Sequence, residues 1–299
     1  MNNIKTTFSI KDLENLSGIK AHTIRIWEKR YNLLKPDRSD TNIRNYSLDS
    51  FKKLLNVTYL YNNGFKISKI ASLDPHEIIE EASKLVSEKA SKNQFINEMK
   101  LAMLNFDQFL FEERYQKMKR VLPFSEIFTH YFIPFLQELG LLWQTGSINP
   151  AHEHFITNLI KQKVLVNTEV LMAQPPQKSG TIFVLFLPEN EIHDLGLAFL
   201  NYEILNSGYR TVYLGESVPL DSLEPFSSNT EKVIFVSYFT VAPAIENVQA
   251  YLQDFKEKIL DTCNSELWVL GYMTKNLGQK ELLENVRIFT DIEEVLKIL

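Results

Sequence analysis

The chain has 299 residues, 44% of them hydrophobic and 23% charged, a balance that fits soluble globular protein in two or three domains, each able to bury its own core. No apolar run approaches bilayer length, the opening residues lack the apolar core of a signal peptide, and a single cysteine, Cys263, excludes a disulfide framework and a cysteine-rich zinc site. A cytoplasmic protein with no membrane attachment is expected. Charge is divided unevenly: residues 1–75 carry 13 Lys/Arg against 7 Asp/Glu, and the remaining 224 carry 19 against 30. A basic head on an acidic chain points to an anionic polymer as the partner of that head.

In chain order, Ser9 precedes a helix in which Ile10, Leu13 and Leu16 share one face, and Gly18 ends it. Residues 21–31 form a second helix with Ile24 and Trp27 on one side. A turn-rich stretch with Pro36 and Asp40 follows, and Ser47 caps a third helix from about Leu48 to Asn62, stopped by Gly64. A short helix follows Ser68. From about Pro75 to Leu171 the pattern is helical almost throughout, with dense apolar sets at Leu101–Phe111 and Phe128–Trp143, and it reads as a bundle of about four helices.

Residues 173–180 are a linker by composition, and beyond them the period changes. Bulky, β-branched runs at 181–187, 232–238 and 266–272, completed by TVYLG and VRIFT, predict five strands. Helices around 194–207, 243–260 and 280–285 separate them. Such alternation implies a parallel sheet covered on both faces. The predicted architecture is therefore multidomain α and α/β, divided as 1–75, 76–172 and 181–299.

Helix, tight turn and second helix carrying Thr23, Arg25 and Lys29 is the pattern of a helix-turn-helix, whose second helix can enter the major groove of double-stranded DNA. Arg30, Lys35, Arg38 and Arg44 lie in or after it and suit phosphate. A solvated basic helix face is the plain alternative. The residues Arg25, Trp27, Glu28, Arg30, Tyr31, Pro36, Arg38, Arg44, Tyr46, Gly64 and Phe65 resemble the signature of the MerR family of winged helix-turn-helix regulators. The resemblance spans about 70 residues. It implies that Thr23, Arg25, Lys29 and Arg30 contact DNA while the wing residues Arg38, Arg44 and Tyr46 grip its backbone. Trp27 is large enough to form the small core under the wing.

The strand at 181–187 ends at Pro188, and a loop containing Glu191, His193, Asp194 and Gly196 leads into a helix. Open α/β sheets bind ligands at the carboxyl ends of their strands. An imidazole there can coordinate a metal through one nitrogen while a nearby carboxylate fixes its tautomer, and Gly196 permits close approach of a bulky ring. By itself such a histidine also suits helix capping. The spacing resembles the motif of cobalamin-binding domains. That resemblance makes His193 the lower axial ligand of cobalt, places Glu191, Asp194 and Gly196 around it, matches 214–219 to a turn after the second strand, and sets Ser237 along the nucleotide tail. The family carries a Gly-Gly pair after the fourth strand; here it is Gly271 and Tyr272. The tyrosine either narrows the tail slot or points away from it.

Trp143 is followed after nine residues by Glu153 and His154. On spacing alone these are a core tryptophan and an acidic helix start favourable to the helix dipole. The arrangement resembles the bundle of the light-sensing, CarH-like branch of MerR-type cobalamin regulators, which implies that the three side chains cover the upper face of adenosylcobalamin. Members of that branch carry a histidine after the tryptophan. Here Gln144 stands there, with His152 and His154 nearby, so a light-triggered step is left open.

The expected function is a DNA-binding transcriptional repressor, a homo-oligomer (dimer or tetramer) whose assembly and operator binding answer to adenosylcobalamin. The alternative is a MerR-type regulator with a degenerate cobalamin domain that acts without the cofactor or through a protein partner. A corrinoid mutase or methyltransferase subunit is disfavoured by the DNA-reading head and by the lack of a barrel-sized substrate domain, so no enzymatic activity is expected.

Overall fold

A computed structural model describes residues 7–38, 42–84, 88–144, 147–228, 231–274 and 283–299. The chain divides into two compact units, Met1–Ile160 and Lys161–Leu299.

The first unit opens with β1 (Thr7–Phe8) and α1 (Ile10–Ser17). Ser9 Oγ accepts the Asp12 N–H at 3.1 Å and Asp12 accepts the Ser9 N–H at 2.8 Å, a reciprocal capping box that satisfies two orphan donors. Gly18 closes the helix in the left-handed conformation (φ 75°). After it come α2 (Ala21–Tyr31), the wing strands β2 (Asp37–Arg38) and β3 (Arg44–Ser47), α3 (Leu48–Asn62) and α4 (Ile67–Ala71). The wing is antiparallel, Arg38 facing Arg44, and β1 adds to the other edge of β3. Leu13, Leu16, Ile24 and Trp27 are buried as the helical spacing predicts, and Trp27 packs edge-on against Tyr61 at 5.0 Å. Trp27 is a core residue. Residues 39–41, which include Asp40, lie outside the described residues.

The bundle follows as α5 (Pro75–Lys84), α6 (Glu88–Asn105), α7 (Gln108–Lys119), α8 (Phe124–Ile127) running through a π turn (Phe128–Phe132) into α9 (Ile133–Gln144), and α10 (Pro150–Met172). Its centre is aromatic: Phe111, Tyr115, Phe128, Phe132 and Phe135 are all buried. Of the apolar set at Leu101–Phe111, Leu104 and Phe111 go inside, whereas Phe109 stays 79% exposed. Head and bundle share this unit. The buried Lys100 ammonium on α6 donates to the Leu16 carbonyl of α1 at 3.2 Å and pairs with Glu138 of α9 at 2.6 Å.

The second unit takes the rest of α10, the loop 173–180, and then β4 (Thr181–Pro188), α11 (Leu195–Asn206), β5 (Arg210–Val218), β6 (Lys232–Tyr238), α12 (Val248–Lys258), β7 (Ser265–Leu270), β8 (Val286–Ile288) and α13 (Ile292–Leu296). All five strands are parallel in the order β5-β4-β6-β7-β8. β4 is buried along nearly its whole length, which explains its unbroken apolar run. Phe186, Phe235 and Phe255 pack one face of the sheet against α12, with ring centres 5.3–6.4 Å apart. α11 is buried from Leu197 to Ile204.

Three sequence readings change. The segment 214–219, read as a turn, continues the edge strand β5 as far as Val218, with irregular register against β4 and Gly215 at φ 80°. α12 starts at Val248 and not at 243, and a short 3-10 turn (Ile245–Asn247) precedes it. Of the helix expected at 280–285, residues 280–282 lie outside the described residues, and 283–285 are irregular or turn.

Phe235→Ala should destabilise the second unit by about 3–5 kcal/mol through the cavity it leaves. Urea unfolding followed by circular dichroism measures this, and a loss below about 1 kcal/mol would contradict the packing described.

Candidate functional site

β4 is the first strand of its sheet in chain order, and its neighbours β5 and β6 lie on opposite sides of it. The chain therefore reverses direction across the sheet between β4 and β6, and the crevice beyond their carboxyl ends is where such folds bind ligands. The Glu191 loop leaves β4 at that crevice.

Glu191 is fully buried, and both its oxygens are saturated. Oε1 accepts the N–H groups of Ile192 (2.9 Å) and His193 (3.0 Å) and contacts His193 Nδ1 at 2.6 Å. Oε2 accepts the N–H groups of Thr240 (3.0 Å), Val241 (2.6 Å) and Ala242 (2.9 Å), in the loop that follows β6. One carboxylate thus ties together the loops on either side of the switch point. Burial pushes this carboxyl up, but the N–H groups of Ala242, Val241 and His193, together with the His193 ring, outweigh it and hold it down at about 2.

The His193 side chain is 53% exposed. A carboxylate can only accept, so Nδ1 carries a ring proton, and in the neutral ring the lone pair is on Nε2. This is how an imidazole is prepared for a metal. Asp194, next in the chain, is buried and forms an ion pair with Lys161 of α10 at 2.7 Å, while Tyr213 OH donates to it at 3.3 Å. Lys161 also lies 3.4 Å from Glu216. Burial alone would lower the Lys161 value, but its two acidic partners raise it. Ser217 braces the loop as well: its N–H donates to the Glu191 carbonyl, and its hydroxyl accepts the Asn190 N–H at 3.1 Å.

Two expected contacts take other forms. Ser237 is fully buried and donates to the Phe186 carbonyl at 2.9 Å, so its hydroxyl holds β6 to β4. Gly196 faces protein: a Cβ there would lie 3.0 Å from the Tyr238 ring. Gly271 (φ 114°) is required by its own backbone, since a Cβ would come within 2.3 Å of the Phe239 carbonyl oxygen. Tyr272 points outward and is 63% exposed. Together with Ile192, Val241 and Ile245 it forms an exposed apolar set on the loops after β4, β6 and β7, around the crevice that holds His193.

In the first unit, Glu153 and His154 occupy the first turn of α10, and His154 Nδ1 lies 3.1 Å from Glu153. Both side chains remain accessible. The side chains of Trp143 and Gln144 lie outside the described residues. His152 is buried against the Phe106 ring at 4.9 Å, and its Nδ1 receives the Asn149 N–H at 3.3 Å, so it belongs to the bundle core.

On the head, Arg25, Lys29, Arg30, Lys35 and Arg38 are exposed, and Thr23 is half-buried on the same helix as Arg25. Two wing residues are engaged with the second helix of the head. Tyr46 is fully buried and its hydroxyl donates to Glu28 at 2.9 Å; Arg44 donates to the same carboxylate at 3.1 Å. Both tie the wing to α2. Tyr46 is a support with no surface to offer DNA.

Lys161, Tyr213, Ser217 and the 240–242 backbone were not found by sequence reasoning. Lys161 lies 32 residues before His193 in an unrelated helix, and backbone donors carry no residue signature, so no motif could flag them. Glu191→Ala would leave three N–H groups of the β6 loop without their acceptor and should cost the second unit about 3 kcal/mol or more. Glu191→Gln should lie between Ala and wild type. Equal stability of all three in urea would contradict the clamp.

Residues 8–76 match the family described as MerR HTH family regulatory protein, and residues 95–166 match the family described as B12 binding domain. The second match falls on α6 through most of α10, in the bundle. The chain is similar to the HTH-type transcriptional repressor CarH of Myxococcus xanthus, 25% identical over 223 residues and 73% of each chain. It is also 25% identical over 253 residues to the repressor CarA of the same organism, covering 83% of this chain and 82% of that one. Among solved structures, the monomethylamine corrinoid protein of Methanosarcina barkeri superposes with a TM-score of 0.55 at 16% identity, covering 70% of this chain and 100% of that one, which is a likeness of fold alone. The chain thus carries a head that matches the MerR helix-turn-helix family and a bundle that matches the B12 binding domain family, and it is similar along most of its length to the CarH and CarA repressors.

Proposed function

We propose that this regulator is a repressor whose oligomerisation and operator binding are governed by adenosylcobalamin, with His193 as the lower axial ligand. The Glu191–His193 pair carries this reading: at the switch point of the sheet, a buried carboxylate holds Nδ1 of an exposed imidazole and so selects the neutral tautomer whose lone pair is on Nε2. The donor set fits a corrinoid. The macrocycle supplies the equatorial nitrogens of cobalt, so one protein ligand suffices, and the apolar loops at Ile192, Val241, Ile245 and Tyr272 suit its broad flat face. Among the described residues no group of three or more His, Cys, Asp or Glu is placed to hold a bare ion. Tyr272 is 63% exposed, and the Ser237 hydroxyl is bonded to the Phe186 carbonyl.

Trp143, Glu153 and His154 are assigned to the upper, adenosyl side of the cofactor. Thr23, Arg25, Lys29, Arg30 and Arg38 are assigned to double-stranded operator DNA, with Arg25 and Thr23 on bases and the others on phosphate. Linking several such heads in a dimer or tetramer raises affinity for repeated half-sites without new contacts, so ligand-controlled assembly is enough to control repression. When bound, the cofactor would supply a light-sensitive cobalt–carbon bond. The chain's own residues bind, orient and assemble, and no catalytic step is assigned to them.

Purification in the dark with adenosylcobalamin, followed by desalting, should leave coloured protein that elutes as a larger assembly than ligand-free protein and binds operator more tightly. His193→Ala should lose most of the colour. A change in elution after green light would add photoreception and show that Gln144 accommodates it. Colourless wild-type protein would overturn the cofactor and leave a DNA-binding regulator with a degenerate B12 domain. Separately, Arg25→Ala should weaken operator binding by about 1–3 kcal/mol, roughly tenfold or more, in a fluorescence anisotropy titration; unchanged affinity would remove Arg25 from the interface.

A further inference from the structure

His193 is held from its N-terminal side by Glu191, and the residue on its C-terminal side is also held, by a side chain outside the motif. Asp194 begins α11, yet its carboxylate makes no capping bond to that helix. It turns instead to the Lys161 ammonium at 2.7 Å and accepts from Tyr213 OH at 3.3 Å. Glu216 lies 3.4 Å from the same ammonium. Lys161 is thus one cation between two acids, and the Asp194 side chain is only 11% exposed. If the cation were removed, a nearly buried carboxylate would lose its counter-charge and face a second carboxylate. A nearly buried charge without its partner is driven toward water. Movement of Asp194 would carry the His193 peptide with it.

We propose that Lys161 is a positioning residue for His193, acting through Asp194 to set where the imidazole meets the metal. This rests on the reading of His193 as a corrinoid ligand. The motif then has two independent anchors. Glu191 fixes the tautomer and joins the loop to the strand β6 side, and Lys161 fixes the start of α11. The two anchors share no partner, so the loss of one leaves the other in place. Lys161→Arg keeps the charge and reaches the same carboxylate. Lys161→Met keeps the length and the apolar stem and removes only the charge.

The test uses the full chain in two forms. In ligand-free protein, hydrogen exchange at residues 192–196 should be about tenfold faster in Lys161→Met than in wild type and near wild type in Lys161→Arg, while exchange in β6 and β7 stays unchanged. In protein loaded with adenosylcobalamin, the visible spectrum distinguishes axial imidazole from axial water. Lys161→Met should retain the cofactor about tenfold more weakly, with a larger share lacking the imidazole, and Lys161→Arg should restore the wild-type spectrum. Asp194→Asn serves as a second variant should the Met protein fail to fold, and it should reproduce the same spectral change. Unchanged exchange together with an unchanged spectrum in Lys161→Met would overturn the proposal. Colourless wild-type protein would overturn the corrinoid reading instead, and the ligand-free exchange would still decide whether Lys161 holds the loop.

Discussion

The second unit is organised around one buried carboxylate. Glu191 has no exposed surface, yet it is ionised, because five backbone N–H groups and an imidazole converge on its two oxygens. A charge taken out of water is tolerable only when it is fully hydrogen-bonded, and such bonds are individually stronger than neutral ones. The same arrangement fixes where the loop after β6 must run and leaves His193 with one committed nitrogen. Local folding and the orientation of His193 are therefore a single event. Any ligand chemistry at His193 inherits the rigidity of a clamp built mostly from backbone, which side-chain substitution in the β6 loop cannot easily remove.

A smaller version of this logic operates in the head. Glu28, on the helix expected to enter the major groove, receives both Arg44 and Tyr46 from the wing. The cost of a half-buried acid beside a DNA-reading surface is offset by two donors that set the angle between wing and helix. Arg25, Lys29, Arg30 and Arg38 are then free to face phosphate and bases.

Much of this was legible in the sequence because it rests on period and composition. The five strands announce themselves through β-branched runs, β4 most clearly because both its faces are covered, and α1 to α3 through their caps at Ser9 and Ser47 and the stops at Gly18 and Gly64. The Glu191–His193 pair was legible through its two-residue spacing. Other features depend on contacts that no local pattern encodes. Tyr46 looks like a DNA contact in a list of motif residues, and only the fold shows its hydroxyl turned inward to Glu28. Ser237 reads as a ligand contact in the motif, and only the fold shows that its hydroxyl also joins β6 to the Phe186 carbonyl of β4. The β5 extension escaped notice because its outer half is an edge strand with irregular register and little apolar signal. Lys161 escaped because its partner lies 33 residues away.

The central claim is that the Nε2 atom of His193 is presented to a metal. It is tested most directly by electron paramagnetic resonance of the protein loaded with cobalt(II) corrinoid, prepared once with ordinary histidine and once with histidine labelled with nitrogen-15. A protein imidazole on cobalt predicts that each cobalt line, split into three by the natural nitrogen, is split into two in the labelled protein, and that His193→Ala loses the effect. An unchanged three-fold splitting in the labelled protein would mean that the cofactor's own base occupies the position, and no nitrogen splitting would mean that nothing does. Either result would contradict the account.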